Sequence, residues 1–228
     1  MTKSKGKAFS MAISAIFEYA LDTIAPPDPL VRKIERMGSA EFARLTEPSS
    51  SKDRIASVTA LFSYKDRLAR AAILEVKSYG NKKVAHILGE AAYEYLLAEL
   101  SDLELFENFD RPILTAIPMT RRSLRKRGWN QCDLIARGIA LVDEARVIDV
   151  RTDLLEKVKE TKDQVGRTRK ERLENLKGAF AAKRPEEIRG RNVIVLDDIA
   201  TTGATLGEAK RALLRAGAKK VWCVALAH

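Results

Sequence analysis

Residues 192–217 read NVIVLDDIATTGATLGEAKRALLRAG. Two adjacent carboxylates, Asp197 and Asp198, follow an apolar run and precede Ala200, Thr201, Thr202, Gly203, Ala204 and Thr205, after which a helical pattern begins. Gly203 allows backbone to approach a ligand closely, the threonines bring hydroxyls, and a helix start collects N–H donors at the positive end of its dipole. Together these make a cradle for a phosphate dianion. Two carboxylates beside such a cradle would repel its anion unless they act on another group, and ionised acids are strong acceptors for vicinal hydroxyls. A ribose 5-phosphate carries both groups in one molecule. If the acids only capped a turn, one would be enough. The chain has neither a GxxxxGK[ST] stretch for a P-loop ATPase nor a GxGxxG for a dinucleotide fold.

Such a site needs an open parallel sheet, because ligands there sit beyond the carboxyl ends of the strands. VIVL predicts a buried strand leading into the acids, 206–216 a helix, and KKVWCVALAH a final strand. Upstream, 55–64 has strand propensity, and 67–100 predicts two helices hinged near Gly80-Asn81. RPILTAIPM, 111–119, predicts a short strand ending in Pro118. It is followed by the basic run TRRSLRKRGWNQ, a helix over CDLIARGIALV, and a strand in RVIDVRTDLLEKV leading into the charged segment 156–177. Strands alternating with helices define an α/β domain with a mostly parallel sheet. No internal repeat is evident.

The 228 residues supply ample core, and 41 basic against 31 acidic residues (net +10) favour anionic partners or make a solvated basic surface. Cys132 and Cys223 stand far apart without a CxxC or Cys/His pattern, which indicates neither zinc nor a disulfide framework and fits a reducing cytoplasm. Phe9, Ile13, Ile16, Phe17, Ala20, Leu21 and Ile24 fall on one helical face opposite Glu18 and Asp22. This predicts an amphipathic helix that docks on the domain or a partner and is too polar to span a bilayer. IAPPDP ends that helix and TEPSSSKD breaks the chain, so residues 1–52 are expected to form a small helical appendage and 53–228 the main domain. His86 in a helix and the terminal His228 do not read as catalytic bases.

VIVLDDIATTGAT resembles the phosphoribosyl pyrophosphate (PRPP) motif of type I phosphoribosyltransferases. More narrowly, LFSYKDRLARAAILEVKSYG, AIPMTRRSLRKRGWNQCDLIARGIA and TKDQVGRTRKERLENLKGAF resemble the ComF family of competence-associated phosphoribosyltransferase-like proteins. With the motif, these segments cover most of residues 58–228. The chain departs from that family's usual pattern at its start: the helix and Pro26-Pro27 are kept, but no cysteine follows until Cys132, so the expected zinc module is missing or replaced by a metal-free helix.

The resemblance implies a type I phosphoribosyltransferase fold, with a mostly parallel sheet flanked by helices. It also implies Mg²⁺-dependent transfer of phosphoribosyl from PRPP to a nitrogen acceptor, with release of pyrophosphate. Asp197 and Asp198 would hold the ribose diol, and Ala200 to Thr205 the 5′-phosphate. Arg121 and Arg127 are candidates for the pyrophosphate, although their basic run reads equally as a solvated or nucleic-acid-facing patch, and Lys77, before Ser78-Tyr79-Gly80, is a further anion-contact candidate that reads equally as surface. Gln164, Arg167 and Arg172 are candidates on a loop that closes over PRPP. Mg²⁺ would arrive with PRPP rather than on protein ligands alone, and zinc is not expected. The sequence does not name the acceptor. DNA, competence or DNA-processing proteins and a second copy of the chain are further partner classes, and a non-catalytic PRPP- or nucleotide-binding module on the same fold is the alternative function.

Overall fold

The computed structural model describes residues 28–49, 57–160 and 174–228. The amphipathic helix expected before Ile24, Pro26-Pro27 and the loop candidates Gln164, Arg167 and Arg172 lie outside the described residues.

Helices α1 (Pro29–Arg36) and α2 (Ser39–Leu45) come first. Asp28 starts α1 by accepting the Leu30 N–H at 2.8 Å, and Pro29, which has no N–H to satisfy, takes the first helical position. Val31, Ile34, Met37 and Phe42 from this pair join the same core as sheet residues Leu196 and Val224. Strand β1 (Val58–Phe62) then leads to α3 (Arg67–Tyr79) and α4 (Lys82–Glu107). The hinge expected near Gly80-Asn81 is present: Gly80 caps α3 at φ 67°, and the Asn81 side chain caps α4.

Strand β2 (Ile113–Ala116) is followed by α5 (Arg121–Arg127), α6 (Gln131–Val142) and β3 (Asp149–Val150). The basic run at 121–127 is therefore a helix, with Thr120 as its cap and Gly128 ending it at φ 91°. RVIDVRTDLLEKV, expected as one strand, divides in two. Strand β3 joins the main sheet, whereas β4 (Leu155–Lys157) pairs antiparallel with β5 (Phe180–Ala182), a strand that carried no sequence signal. The short helix α7 (Pro185–Ile188), β6 (Asn192–Ile199), α8 (Ala204–Arg215) and β7 (Lys220–Ala227) complete the chain.

The main sheet runs β1-β7-β6-β2-β3 and every pairing is parallel. Strand β6 is central and buried along its length as far as Asp198, which is why it reads as a continuous apolar run. Its alternate side chains feed two cores. Ile194 and Leu196 pack with residues of α3, α4 and α6, while Val193 and Val195 pack with residues of α8 and the β4–β5 pair. Helices α4 and α6 cross closely at Gly89 and Gly138, where a Cβ on Gly89 would come within 2.7 Å of the Ile135 carbonyl oxygen. No helix among the described residues is long and apolar enough to cross a membrane.

Candidate functional site

Strand β6 does not stop before its acids. Its pairing with β7 continues through Asp197↔Ala225 to Ile199↔Ala227, so both carboxylates stand on the last turns of the central strand, 7% and 5% exposed. Strand alternation then separates them. Asp198 has the parity of Ile194 and Leu196 and meets the helical face, whereas Asp197 has the parity of Val193 and Val195 and faces the β4–β5 side.

Three elements converge on Asp198. From the end of α3, Lys77 brings its Nζ to 3.3 Å from Asp198 Oδ2. From the start of α6, Gln131 Nε2 donates to the same oxygen at 3.0 Å. Its other oxygen, Oδ1, accepts the Ile199 N–H at 2.9 Å. Asp197 Oδ1 accepts the Asp198 N–H at 2.9 Å and the Cys132 thiol at 3.6 Å. Burial, with the neighbouring Asp198 charge second, raises the Asp197 carboxyl well above the ordinary carboxylate range. Burial likewise pushes up the Cys132 thiol and lifts Asp133, in the first turn of α6, to about 6 against the opposing pull of Arg137.

The segment Trp129-Asn130-Gln131-Cys132 sets these contacts. Trp129 Nε1 donates to the Val76 carbonyl at 3.0 Å, with its ring lying where a Cβ on Gly80 would fall, and so clips the start of α6 to the end of α3. Asn130 caps α6 through the Cys132 N–H and ties it to the Ile117 carbonyl at 2.9 Å.

Past the acids, Ala200 is anchored by the Ala227 carbonyl at 2.9 Å, and Thr201 is exposed. Gly203 stands at the N-cap of α8 with φ 70°, a left-handed conformation that suits glycine, and as a glycine it brings no capping side chain of its own. The Thr202 hydroxyl is 3.4 Å from the Ala204 N–H, Thr205 is half-buried, and Ala204 is buried. The first turn of α8 thus presents backbone donors at the positive end of a three-turn dipole. Glu208, buried on the same helix, pairs with Arg211 and accepts the Gly178 N–H at 2.8 Å, which fixes the approach to β5.

Beside the acids opens a cavity of about 600 Å³ lined by Lys77, Arg122, Lys126, Arg127, Gln131 and Lys157 together with residues 117–120 and Glu160. Of the basic candidates, Lys77 and Arg127 line it, and Arg127 is the half-buried member of its helix. Arg121 is exposed on the same helix and does not line the cavity. Lys157 and Gln131 carried no separate sequence argument. For Lys157 a signal existed: in Leu155-Glu156-Lys157, strand alternation gives the lysine the parity of a buried leucine. Burial lowers its ammonium pKa, Asp197 opposes that, and the ammonium lies 5.8 Å from the Phe180 ring centroid. Across the cavity mouth Arg122 pairs with Glu160 at 3.6 Å, both well exposed. His86 is half-buried in α4, and His228 Nδ1 lies 2.8 Å from the Ala200 carbonyl oxygen, behind the loop rather than in the cavity.

A model of the phosphoribosyl transferase domain matches residues 136–228. The chain is 32% identical over 115 residues to the DNA utilization protein YhgH of Escherichia coli, covering 49% of this chain and 48% of that protein. It is 34% identical over 115 residues to competence protein F of Haemophilus influenzae, with the same coverage. Against competence protein ComFC of Bacillus subtilis it is 31% identical over 105 residues, 46% of this chain and 39% of the other. The chain therefore spans about half the length of the curated relatives it matches. Among solved structures, a hypoxanthine phosphoribosyltransferase from Staphylococcus aureus superimposes with a TM-score of 0.30 at 13% identity, covering 59% of this chain and 61% of that one. Residues 136–228 thus resemble a phosphoribosyl transferase domain, the central sheet is all parallel, and the chain is consistent with the ComF-type phosphoribosyltransferase-like family.

Proposed function

We propose that the chain binds PRPP and transfers its phosphoribosyl group to a nitrogen nucleophile, with release of pyrophosphate. The observation that carries this reading is one juxtaposition: a buried acid pair ends the central strand, the glycine-started N-terminus of α8 follows five residues later, and a cation-lined cavity opens alongside. A ribose 5-phosphate with pyrophosphate at C1 presents a diol, a monoester and a diphosphate, one for each feature.

In this reading the α8 start and Thr202 bind the 5′-phosphate, Asp197 and Asp198 accept from the diol, and Lys77, Arg127 and Lys157 hold the pyrophosphate. The acids also place negative potential beneath a C1 centre that becomes cationic as the leaving group departs, and no covalent nucleophile is needed. Mg²⁺ bound together with PRPP would supply charge neutralisation at the pyrophosphate. The ligand atoms of Cys132, Asp197 and Asp198 lie within 4.8 Å of one another, and of these the carboxylate oxygens suit a hard cation while a thiol held protonated by burial does not. No structural zinc is expected, and elemental analysis of purified protein tests that directly.

Titration calorimetry in Mg²⁺ with PRPP, ribose 5-phosphate and pyrophosphate tests the assignment. Asp197→Asn and Asp198→Asn are each expected to weaken PRPP by about 1.5–3 kcal/mol. Thr202→Val should weaken PRPP and ribose 5-phosphate alike and spare free pyrophosphate. Unchanged PRPP affinity in both Asn variants ends the diol assignment.

A second reading is a non-catalytic ligand-binding or nucleic-acid-associated module linked to DNA uptake. It is favoured by the exposed basic side chains Arg121, Arg122, Arg125 and Lys126 on α5 and by the names of the relatives. Salt-sensitive DNA binding without single-turnover pyrophosphate release would select it.

A further inference from the structure

The side chain that joins the two halves of this site is neutral. Gln131 is 8% exposed and uses both ends of its amide: Oε1 accepts from Arg127 at 2.8 Å, and Nε2 donates to Asp198 Oδ2 at 3.0 Å. The charges on either side fix this orientation. A guanidinium can only donate and an ionised carboxylate can only accept, so a flipped amide would set N–H against N–H and oxygen against oxygen. A carboxylate in its place would repel Asp198, and a cation would repel Arg127. Asn130 and Trp129 hold the backbone from which the amide extends. Lys77, the other partner of Asp198 Oδ2, is 37% exposed and free to follow a ligand, whereas Gln131 is enclosed.

We propose that Gln131 is a positioning residue that couples the cavity to the acid pair, holding the Arg127 guanidinium and the Asp198 carboxylate in one register, so that disturbing Arg127 is felt at the diol. The proposal rests on the assignment of the acids to the ribose and of the cavity to pyrophosphate. Gln131 acts through these two side chains, Arg127 and Asp198.

The test exploits a ligand that Arg127 should not contact. Ribose 5-phosphate has no pyrophosphate, yet Arg127→Ala is expected to weaken it about three- to tenfold by releasing the amide. In a Gln131→Met background, which already lacks both bonds, the same Arg127→Ala change should have no further effect. Gln131→Glu should bind ribose 5-phosphate worst at neutral pH, and its deficit relative to the unaltered protein should shrink as the pH falls and the new carboxyl gains a proton it can donate to Asp198. A merely structural role moves neither the background dependence nor the pH dependence. If ribose 5-phosphate binds the unaltered protein but Arg127→Ala has no effect, or the same effect in both backgrounds, the coupling is overturned and the ligand assignment stands. If a folded Gln131→Glu protein shows a pH-independent deficit, the coupling is overturned as well. If the unaltered protein binds PRPP and ribose 5-phosphate not at all, the ligand assignment falls and the coupling with it.

Discussion

Asp197 and Asp198 are consecutive in one strand, and the two faces of the sheet treat them differently. On the helical face Asp198 has a lysine at 3.3 Å and an amide donor at 3.0 Å, delivered by the ends of α3 and α6. Asp197 is enclosed too, but its side-chain donor from α6 is only the Cys132 thiol at 3.6 Å, and the cation it acts upon from the β4–β5 side, Lys157, is itself desolvated. One acid is neutralised by close partners; the other bears a burial cost that a ligand hydroxyl could relieve. Identical residue types one position apart acquire different roles because strand alternation hands them to different neighbours.

The largest effect should come from the clip that builds the Asp198 face. Gly80→Ala puts a Cβ within 2.7 Å of the Trp129 ring at a backbone φ of 67°. Left-handed strain and overpacking together should lower stability by about 2–4 kcal/mol, read by urea denaturation. A loss below that range would mean that Trp129 moves aside, and then Lys77 and Gln131 should shift with it.

Lys157→Met tests the other face. The cavity loses a desolvated cation, and pyrophosphate affinity should fall about tenfold, or about 1.4 kcal/mol, in calorimetry. Fold stability should hold or rise slightly, since a desolvated ammonium is removed.

Asp197→Asn should stabilise the fold while impairing binding. A carboxyl whose folded pKa is raised favours folding in its protonated form: that contribution is complete below the ordinary carboxylate range and is lost as pH rises through the raised value. At neutral pH the native acid is therefore a liability, and the amide should add about 0.5–2 kcal/mol. Thermal melts as a function of pH should show this gain shrinking under acidic conditions. A variant that is destabilised at neutral pH would show that the two faces do not differ as described.

The smallest effect is expected at the cavity mouth. Arg122 and Glu160 are 81% and 59% exposed, so Arg122→Ala should change stability by no more than about 0.5 kcal/mol. Its influence on pyrophosphate binding should fade with added salt.

Much of the arrangement proposed to bind phosphate and diol is legible in residues 192–217, because one strand, one tight turn and one helix start bring those groups together within a few residues. Local chemistry sufficed there: a buried apolar run, two acids, a glycine able to take a positive φ, and a helix to follow. The alternation of strands and helices likewise announced a parallel sheet. What the linear pattern could not decide was which of many cations face the site. The run at 121–127 offers five basic residues, and the folding of that run as a helix sets Arg122, Lys126 and Arg127 toward the cavity and Arg121 away from it. Lys157 became a site residue only through the pairing of β4 with β5, and β5 itself is three residues long, too short for its own periodicity to declare. Gln131 lies 67 positions from the acid it touches. Its role exists only because α6 starts where β6 ends, a relation set by packing both elements on one core rather than by any pattern within either.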